Sequence, residues 1–309
     1  MSKSVVLVTG SGGQIGTVLV TALRKRHGVD KVIATDLNHI ESEGPFEKLD
    51  VTDTVRVAAL IDKYKVTEIY HLAALLSSSG EKNPALTWKI NFTAYFNILQ
   101  IAQQKGVSKI FFPSTIGIYG PSTPRVGTPQ HGSFEPATVY GITKLTAEMW
   151  NEYYRNRYDL DIRSLRYPGV ISYEVIPKGG TTDFAVEIFF ALKRKGHYTC
   201  YLKPDTVLPM IYMPDVLKAT MDLMAAPKES ISTSMGYNLA GFSLSPEILF
   251  AELQKSFPEA TISYEPDHRQ QIADSWSQTI DDSIARRDWQ WQPDYNMQRM
   301  VEDMVKHVE

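Results

Sequence analysis

Short unbroken apolar runs alternate along this chain with stretches in which apolar residues recur every three or four positions. Val5-Val6-Leu7-Val8 is such a run and reads as a strand buried on both faces. Ile15, Val18, Leu19, Ala22 and Leu23 then fall on one face of a helix. A second strand, Lys31-Val32-Ile33-Ala34-Thr35, ends in Asp36, and a short one is expected over 46–51. Thr52 either caps the helix carrying Val55, Val57, Leu60 and Ile61 or forms a turn with Asp53. A strand and turn cover 68–74. One long helix is expected over 84–105, with Pro84 in its first turn and Gly106 just past its end. Ile110-Phe111-Phe112 begins a strand that ends at Pro113-Ser114-Thr115. A loop rich in Pro, Gly, Ser and Thr follows over 120–136, then a helix over 140–157 and a strand over 162–167. This alternation predicts an α/β fold, a doubly wound parallel sheet over 1–168.

The pattern changes after residue 168. Trp276, Trp289 and Trp291 cluster there, and Gly- and Pro-containing links interrupt the periodicity. The segment 236–240 reads as a strand able to rejoin the main sheet. The expectation is a smaller, interleaved C-terminal α/β lobe over 169–309 that binds substrate.

Composition removes several function classes. A chain of 309 residues can bury a large core. A net charge of −3, with no basic run, gives no attraction to nucleic acid or to an anionic membrane surface. The single cysteine, Cys200, excludes an intramolecular disulfide and a multi-cysteine zinc site, and reads as a buried structural thiol. No apolar run approaches the ~20 residues that span a bilayer. The first strand is expected within four residues of Met1, so no leader is expected. A cytoplasmic location is expected.

The chemistry begins at the first turn. Gly10, Gly13 and Gly16 lie between a strand and a helix, where backbone approaches a pyrophosphate closely and the helix packs tightly on its strand. The N–H groups at the helix start, around Gln14 and Ile15, would face the phosphates. Asp36 stands where a ribose-binding carboxylate is expected. Dinucleotide binding in a Rossmann domain follows, with NAD favoured over NADP because Leu37-Asn38-His39 offers no cation for a 2′-phosphate. Tyr140 and Lys144 lie four apart on one helix face. A lysine cation lowers a phenol toward the range of a general base, although such pairs also arise by chance on helices. Thr115 ends a strand at the sheet edge where ligands bind, and a hydroxyl there can hold a substrate oxygen against Tyr140. His71 and His197 sit in no cluster with metal spacing, so solvent or cofactor-cleft roles are expected and no metal.

Thr9-Gly10-x-x-Gly13-x-x-Gly16, Asp50-Val51, His71-Leu72-Ala73-Ala74, Asn91, Ser114-Thr115 and Tyr140-x-x-x-Lys144 together resemble the extended short-chain dehydrogenase/reductases. The resemblance implies that Asp50 and Val51 flank the adenine and that Leu72, Ala73, Ala74 and Asn91 serve the cofactor cleft. It further implies that Lys144 holds the nicotinamide ribose and that Tyr167 and Pro168 border the nicotinamide. It also implies a homodimer through the helices at 84–105 and 140–157; the alternative is that their apolar faces are intramolecular core. Sugar-nucleotide members usually carry asparagine two residues after the position of Tyr167, where this chain has Gly169.

Leu75-Leu76-Ser77, the 113–120 stretch, Gly179-Gly180-Thr181-Thr182-Asp183, the 208–215 stretch and Trp276 look like the short-chain L-threonine 3-dehydrogenases. The implied reaction is NAD-dependent oxidation of the L-threonine 3-hydroxyl to 2-amino-3-ketobutyrate. Tyr140 would act as general base, Thr115 with Ser114 would orient the hydroxyl, and Lys144 would tune the tyrosine. An amino acid needs partners for both of its charges, and Ser77, Thr181, Thr182 and Asp183, with Trp276 nearby, would supply them. The alternatives are a nucleotide-sugar epimerase or dehydratase and a non-catalytic dinucleotide sensor. Gly169 counts against the first, and the intact Thr115, Tyr140 and Lys144 against the second.

Overall fold

The computed structural model describes residues 4–41, 43–174 and 180–308, so Gly179 lies outside the described residues. Its strands are β1 (Val6–Thr9), β2 (Val32–Asp36), β3 (Phe46–Lys48), β4 (Glu68–His71), β5 (Lys109–Thr115), β6 (Asp161–Tyr167), β7 (Gly169–Ile171), β8 (His197–Cys200), β9 (Leu208–Tyr212), β10 (Tyr237–Asn238), β11 (Phe242–Leu244) and β12 (Thr261–Tyr264). Seven of them form one sheet in the order β10-β6-β5-β4-β1-β2-β3, and every pairing in it is parallel. Such a sheet needs helical crossovers that cover both faces, which is why its inner strands β1, β2 and β5 are largely apolar rather than alternating. The chain runs outward in opposite directions from β1, so a crevice opens between the carboxyl ends of β1 and β4.

The helices α1 (Gln14–His27), α2 (Thr54–Tyr64), α3 (Ser77–Gly80), α4 (Pro84–Trp88), α5 (Ala94–Lys105), α6 (Val139–Tyr158), α7 (Phe184–Lys195) and α8 (Met213–Ala225) follow in chain order. On one face α1 and α8 bury Val18, Leu19, Leu23, Val216, Ala219 and Leu223 against the sheet. On the other, α2, α5 and α6 bury Val57, Leu60, Ile98, Leu99 and Ala147. Trp289 and Trp291 join the first of these cores, whereas Trp276 belongs to the core of the smaller lobe. That lobe is built on a three-stranded sheet, β11-β9-β7, and the pair β12-β8. Among the described residues no helix is long and apolar enough to cross a membrane.

Three local expectations are corrected. The short strand stops at Lys48 instead of running to residue 51. Asp53, not Thr52, caps α2 by accepting from the Arg56 N–H, because the helix starts at Thr54; the Thr52 N–H and hydroxyl donate to Asp50 instead. The long helix over 84–105 is interrupted by a π-helical turn, Lys89–Thr93, between α4 and α5. Such turns mark places where one side chain must be re-aimed, and here it is that of Asn91.

Candidate active site

The glycine turn builds the floor of the crevice. Gly10 has φ +70, and a Cβ there would lie 2.6 Å from the Ala73 N. At Gly16 a Cβ would stand 2.3 Å from the Gly10 carbonyl oxygen, so only glycine lets α1 start this close to β1. No side chain caps α1 at Gly13, which leaves its first-turn N–H groups to an anion. Asp36 ends β2 and accepts from the Gly12 N–H at 3.0 Å and the Asn38 N–H at 3.2 Å. Asp50 accepts from the Thr52 N–H and hydroxyl, both at 2.8 Å, and these bonds hold its carboxyl below the usual range.

The cleft has two halves that share Gly10, Gly13, Leu72 and Ala74. Asp36, Asp50, Val51 and Ala73 line one half. Gln14, Ile15, Gly16, Tyr167 and Pro168 line the other, with Ser114, Thr115, Tyr140 and Lys144 and all of Ser77, Thr181, Thr182, Asp183 and Trp276. Asn91 lines neither half. Its buried amide accepts from the Leu75 N–H at 2.8 Å and donates to the Leu75 carbonyl at 2.9 Å, so it fixes the loop that carries Ala73 and Ala74. His71 is also displaced from the cleft role considered for it. It is buried beneath the cleft, bonded to Thr9 at 2.8 Å and stacked on Tyr95, and burial pulls its pKa down to about 3. His197 lies on the exposed edge of β8 against Thr261.

Thr138 caps α6 through the Gly141 N–H and thereby places Tyr140 in the first turn. A Cβ on Gly141 would come 2.2 Å from the Gly117 oxygen, and this closeness seats α6 against the turn that follows β5. The Tyr140 hydroxyl therefore meets the Thr115 side chain, whose oxygen also accepts from the Gly117 N–H at 3.1 Å. Burial pushes the Tyr140 phenol up to about 12, against the opposing effect of the Thr115 bond. Lys144 donates to the Pro113 oxygen at 2.7 Å and stands 5.7 Å from the Tyr140 ring centroid. Its ammonium is pulled down to about 7 by burial, with Glu148 opposing. Without a further positive charge this pair keeps the phenol protonated at neutral pH.

Two residues that no motif singled out support this arrangement. Glu148 and Arg166 are fully buried and paired at 2.8 Å. Ser114 donates to Glu148 at 2.5 Å, while Arg166 also reaches the Tyr119 hydroxyl, the Gln130 oxygen and Asn238. Desolvation works against the Arg166 charge, but Glu148 and Tyr119 together outweigh it and hold Arg166 above its usual pKa. The signal in the sequence is the i, i+4 continuation Tyr140, Lys144, Glu148, together with an arginine inside an apolar strand. At the polar end of the cleft the Ser77 and Thr181 hydroxyls lie 3.3 Å apart, and Asp183 accepts from the Gly180 N–H at 2.8 Å. Among the described residues no group of three or more His, Cys, Asp or Glu side chains is placed to hold a metal.

Residues 6–240 match the model of the NAD dependent epimerase/dehydratase family. The chain belongs to this family. Two curated relatives align over nearly its whole length. The mitochondrial L-threonine 3-dehydrogenase of Bos taurus is 44% identical over 97% of this chain and 81% of its own. An uncharacterized epimerase/dehydratase of Staphylococcus haemolyticus is 43% identical over 98% of this chain and 97% of its own. Among solved structures, a monomeric L-threonine 3-dehydrogenase of metagenomic origin superposes with a TM-score of 0.95 at 42% identity, covering 97% of both chains. The dinucleotide implied by the epimerase/dehydratase family fits the residues present. The uncapped α1 start would take its pyrophosphate, Asp36 a ribose diol, and Lys144 beside Tyr140 the second ribose.

Proposed function

We propose that this chain is an NAD-dependent dehydrogenase that oxidises the 3-hydroxyl of L-threonine to 2-amino-3-ketobutyrate. The observation that carries the reading is one cleft that joins the Thr115–Tyr140 contact and Lys144 to a small polar end. That end holds Asp183 and three hydroxyls, and Lys144 is the only cation among the described lining residues. An acid there suits an ammonium and repels the diphosphate of a nucleotide sugar. The bovine and metagenomic relatives support the same reading.

NAD, when bound, supplies the hydride acceptor. Thr115 holds the substrate hydroxyl against Tyr140, whose phenolic oxygen takes the proton. Ser114 has committed its own proton to Glu148 and offers the substrate only a lone pair. Lys144, in its protonated form, stabilises the phenolate. Asp183 receives the ammonium, and Ser77, Thr181 and Thr182 donate to the carboxylate. Trp276 also lines this part of the cleft.

An NADH absorbance assay with NAD and a panel of hydroxy amino acids and UDP-sugars tests this. The expected result is NADH formation with L-threonine, little with D-threonine and none with UDP-glucose. Epimerisation of a UDP-sugar without net NADH would establish the alternative held by the staphylococcal relative's name. NAD should be preferred over NADP, and Asp36→Ala should weaken that preference, because Asp36 repels a 2′-phosphate. Equal use of NADP by the unaltered protein would remove this role for Asp36.

We further propose a homodimer in a reducing cytoplasm. Cys200 is buried with its thiol pushed up to about 11, as suits a residue with no redox role. Rings touch in sequence from Trp88 through Phe92, Phe96 and Trp150 to Tyr153, and Trp88, Ile142, Met149 and Tyr153 are exposed. An apolar face of this kind, on two adjacent helical segments, suits a second copy of itself. The relative described as monomeric makes the state a property of each chain, and this surface is what supports the pairing here. Light scattering should give twice 34.8 kDa, and Met149→Glu with Tyr153→Glu should halve the mass. A monomer for the unaltered protein at micromolar concentration would refute the pairing.

A further inference from the structure

We infer that Met210, which lies behind the cleft wall, sets the size limit of the substrate end by holding Thr182 in place across the gap at Gly169. The inference rests on the reading of this site as one for a small hydroxy amino acid. Gly169 and Thr182 line the cleft, while Met210 is fully buried and does not. The parallel pairing of β7 with β9 sets Gly169 opposite Met210, and β11 pairs with β9 on its other edge. A methyl at residue 169 would lie 2.3 Å from the Met210 sulfur and 2.8 Å from both Cβ and Cγ2 of Thr182. The backbone at Gly169 is not in the left-handed region, so glycine is needed there for space and not for conformation. The volume that a side chain at 169 would occupy is filled instead by the thioether from one side and the threonine from the other.

The Met210 backbone is fixed, because it belongs to the central strand of its sheet. A Cβ at Gly241 would itself approach the Met210 carbonyl to 2.5 Å, so the packing is close on that side as well. Thr182 is in turn held by the start of α7, where its carbonyl accepts from the Ala185 N–H at 3.2 Å. A substrate with a longer side chain therefore gains no room by pushing Thr182 back. Well-packed walls of this kind discriminate single methylenes by about 10- to 200-fold.

The test is steady-state kinetics with L-threonine and with L-threo-3-hydroxynorvaline, which carries one more methylene, together with the KM for NAD. Met210→Ala should reduce the preference for threonine by about tenfold or more and leave the NAD KM unchanged. Gly169→Ala should raise the KM for threonine by about tenfold, and Gly169→Ala/Met210→Ala should return it toward the unaltered value, since the new methyl enters the space vacated by the thioether. If Met210→Ala does not fold, Met210→Val reads the same ratio with a smaller deletion. An unchanged ratio in the Met210 variant, or no rescue in the double variant, overturns the inference while leaving the dehydrogenase reading intact. Failure of the unaltered protein to oxidise L-threonine overturns the dehydrogenase reading itself.

Discussion

Replacing Tyr140 by phenylalanine should lower kcat by about 10²- to 10⁴-fold, the usual contribution of acid–base assistance. Dinucleotide affinity should survive, because the ring remains and Lys144 still donates to the Pro113 oxygen rather than to the phenol. The sign of the pH dependence follows from burial. A phenol pushed up to about 12 and an ammonium pulled down to about 7 leave Tyr140 protonated at neutral pH in the free protein. The proton-accepting form therefore grows as pH rises, and kcat/KM for L-threonine should climb from neutral into alkaline solution. Tyr140→Phe should remove that climb along with the turnover. A variant that retains more than about a tenth of kcat, or an unaltered enzyme that is fastest in acid, places the base elsewhere.

Glu148→Ala should destabilise the fold by about 3–5 kcal/mol, the usual result of leaving one member of a buried ion pair without its partner. Arg166 would keep its charge at a site with no access to water, and Ser114 would lose the acceptor for its proton. The network also joins β5, β6, β10 and the 120–136 loop, so the loss should spread beyond the pair. Glu148→Met/Arg166→Met, which removes both charges, should recover much of the loss because neither desolvated ion remains. Urea unfolding monitored by circular dichroism measures both variants. A single-variant loss under about 1 kcal/mol would mean that water reaches Arg166 and that the pair is not the structural hub described here.

The sheet, its glycine turn and most of its helices were legible in the sequence because each depends on local rules. A strand buried on both faces is mostly apolar, and a turn against a pyrophosphate must be glycine. The spacing of Tyr140 and Lys144 fixed their shared face, since a helix repeats every 3.6 residues. Thr52 and Asp53 are adjacent and equally suited as caps, and only where the helix starts, at Thr54, decides between them. The π turn at Asn91 could not be read, since it answers to the backbone of Leu75, sixteen residues away in sequence.

What the sequence determined by itself was therefore the parallel sheet, the dinucleotide turn and the pairing of phenol with ammonium on one helix face. Only the tertiary structure decided that Glu148 and Arg166 neutralise one another beneath the site and that His71 is core rather than cleft. It also decided why residue 169 is glycine, since Thr182 and Met210 converge there from segments distant in sequence. The division follows from range: periodicity and turn chemistry act between residues a few positions apart, whereas burial and side-chain contact depend on which distant segments fold against one another.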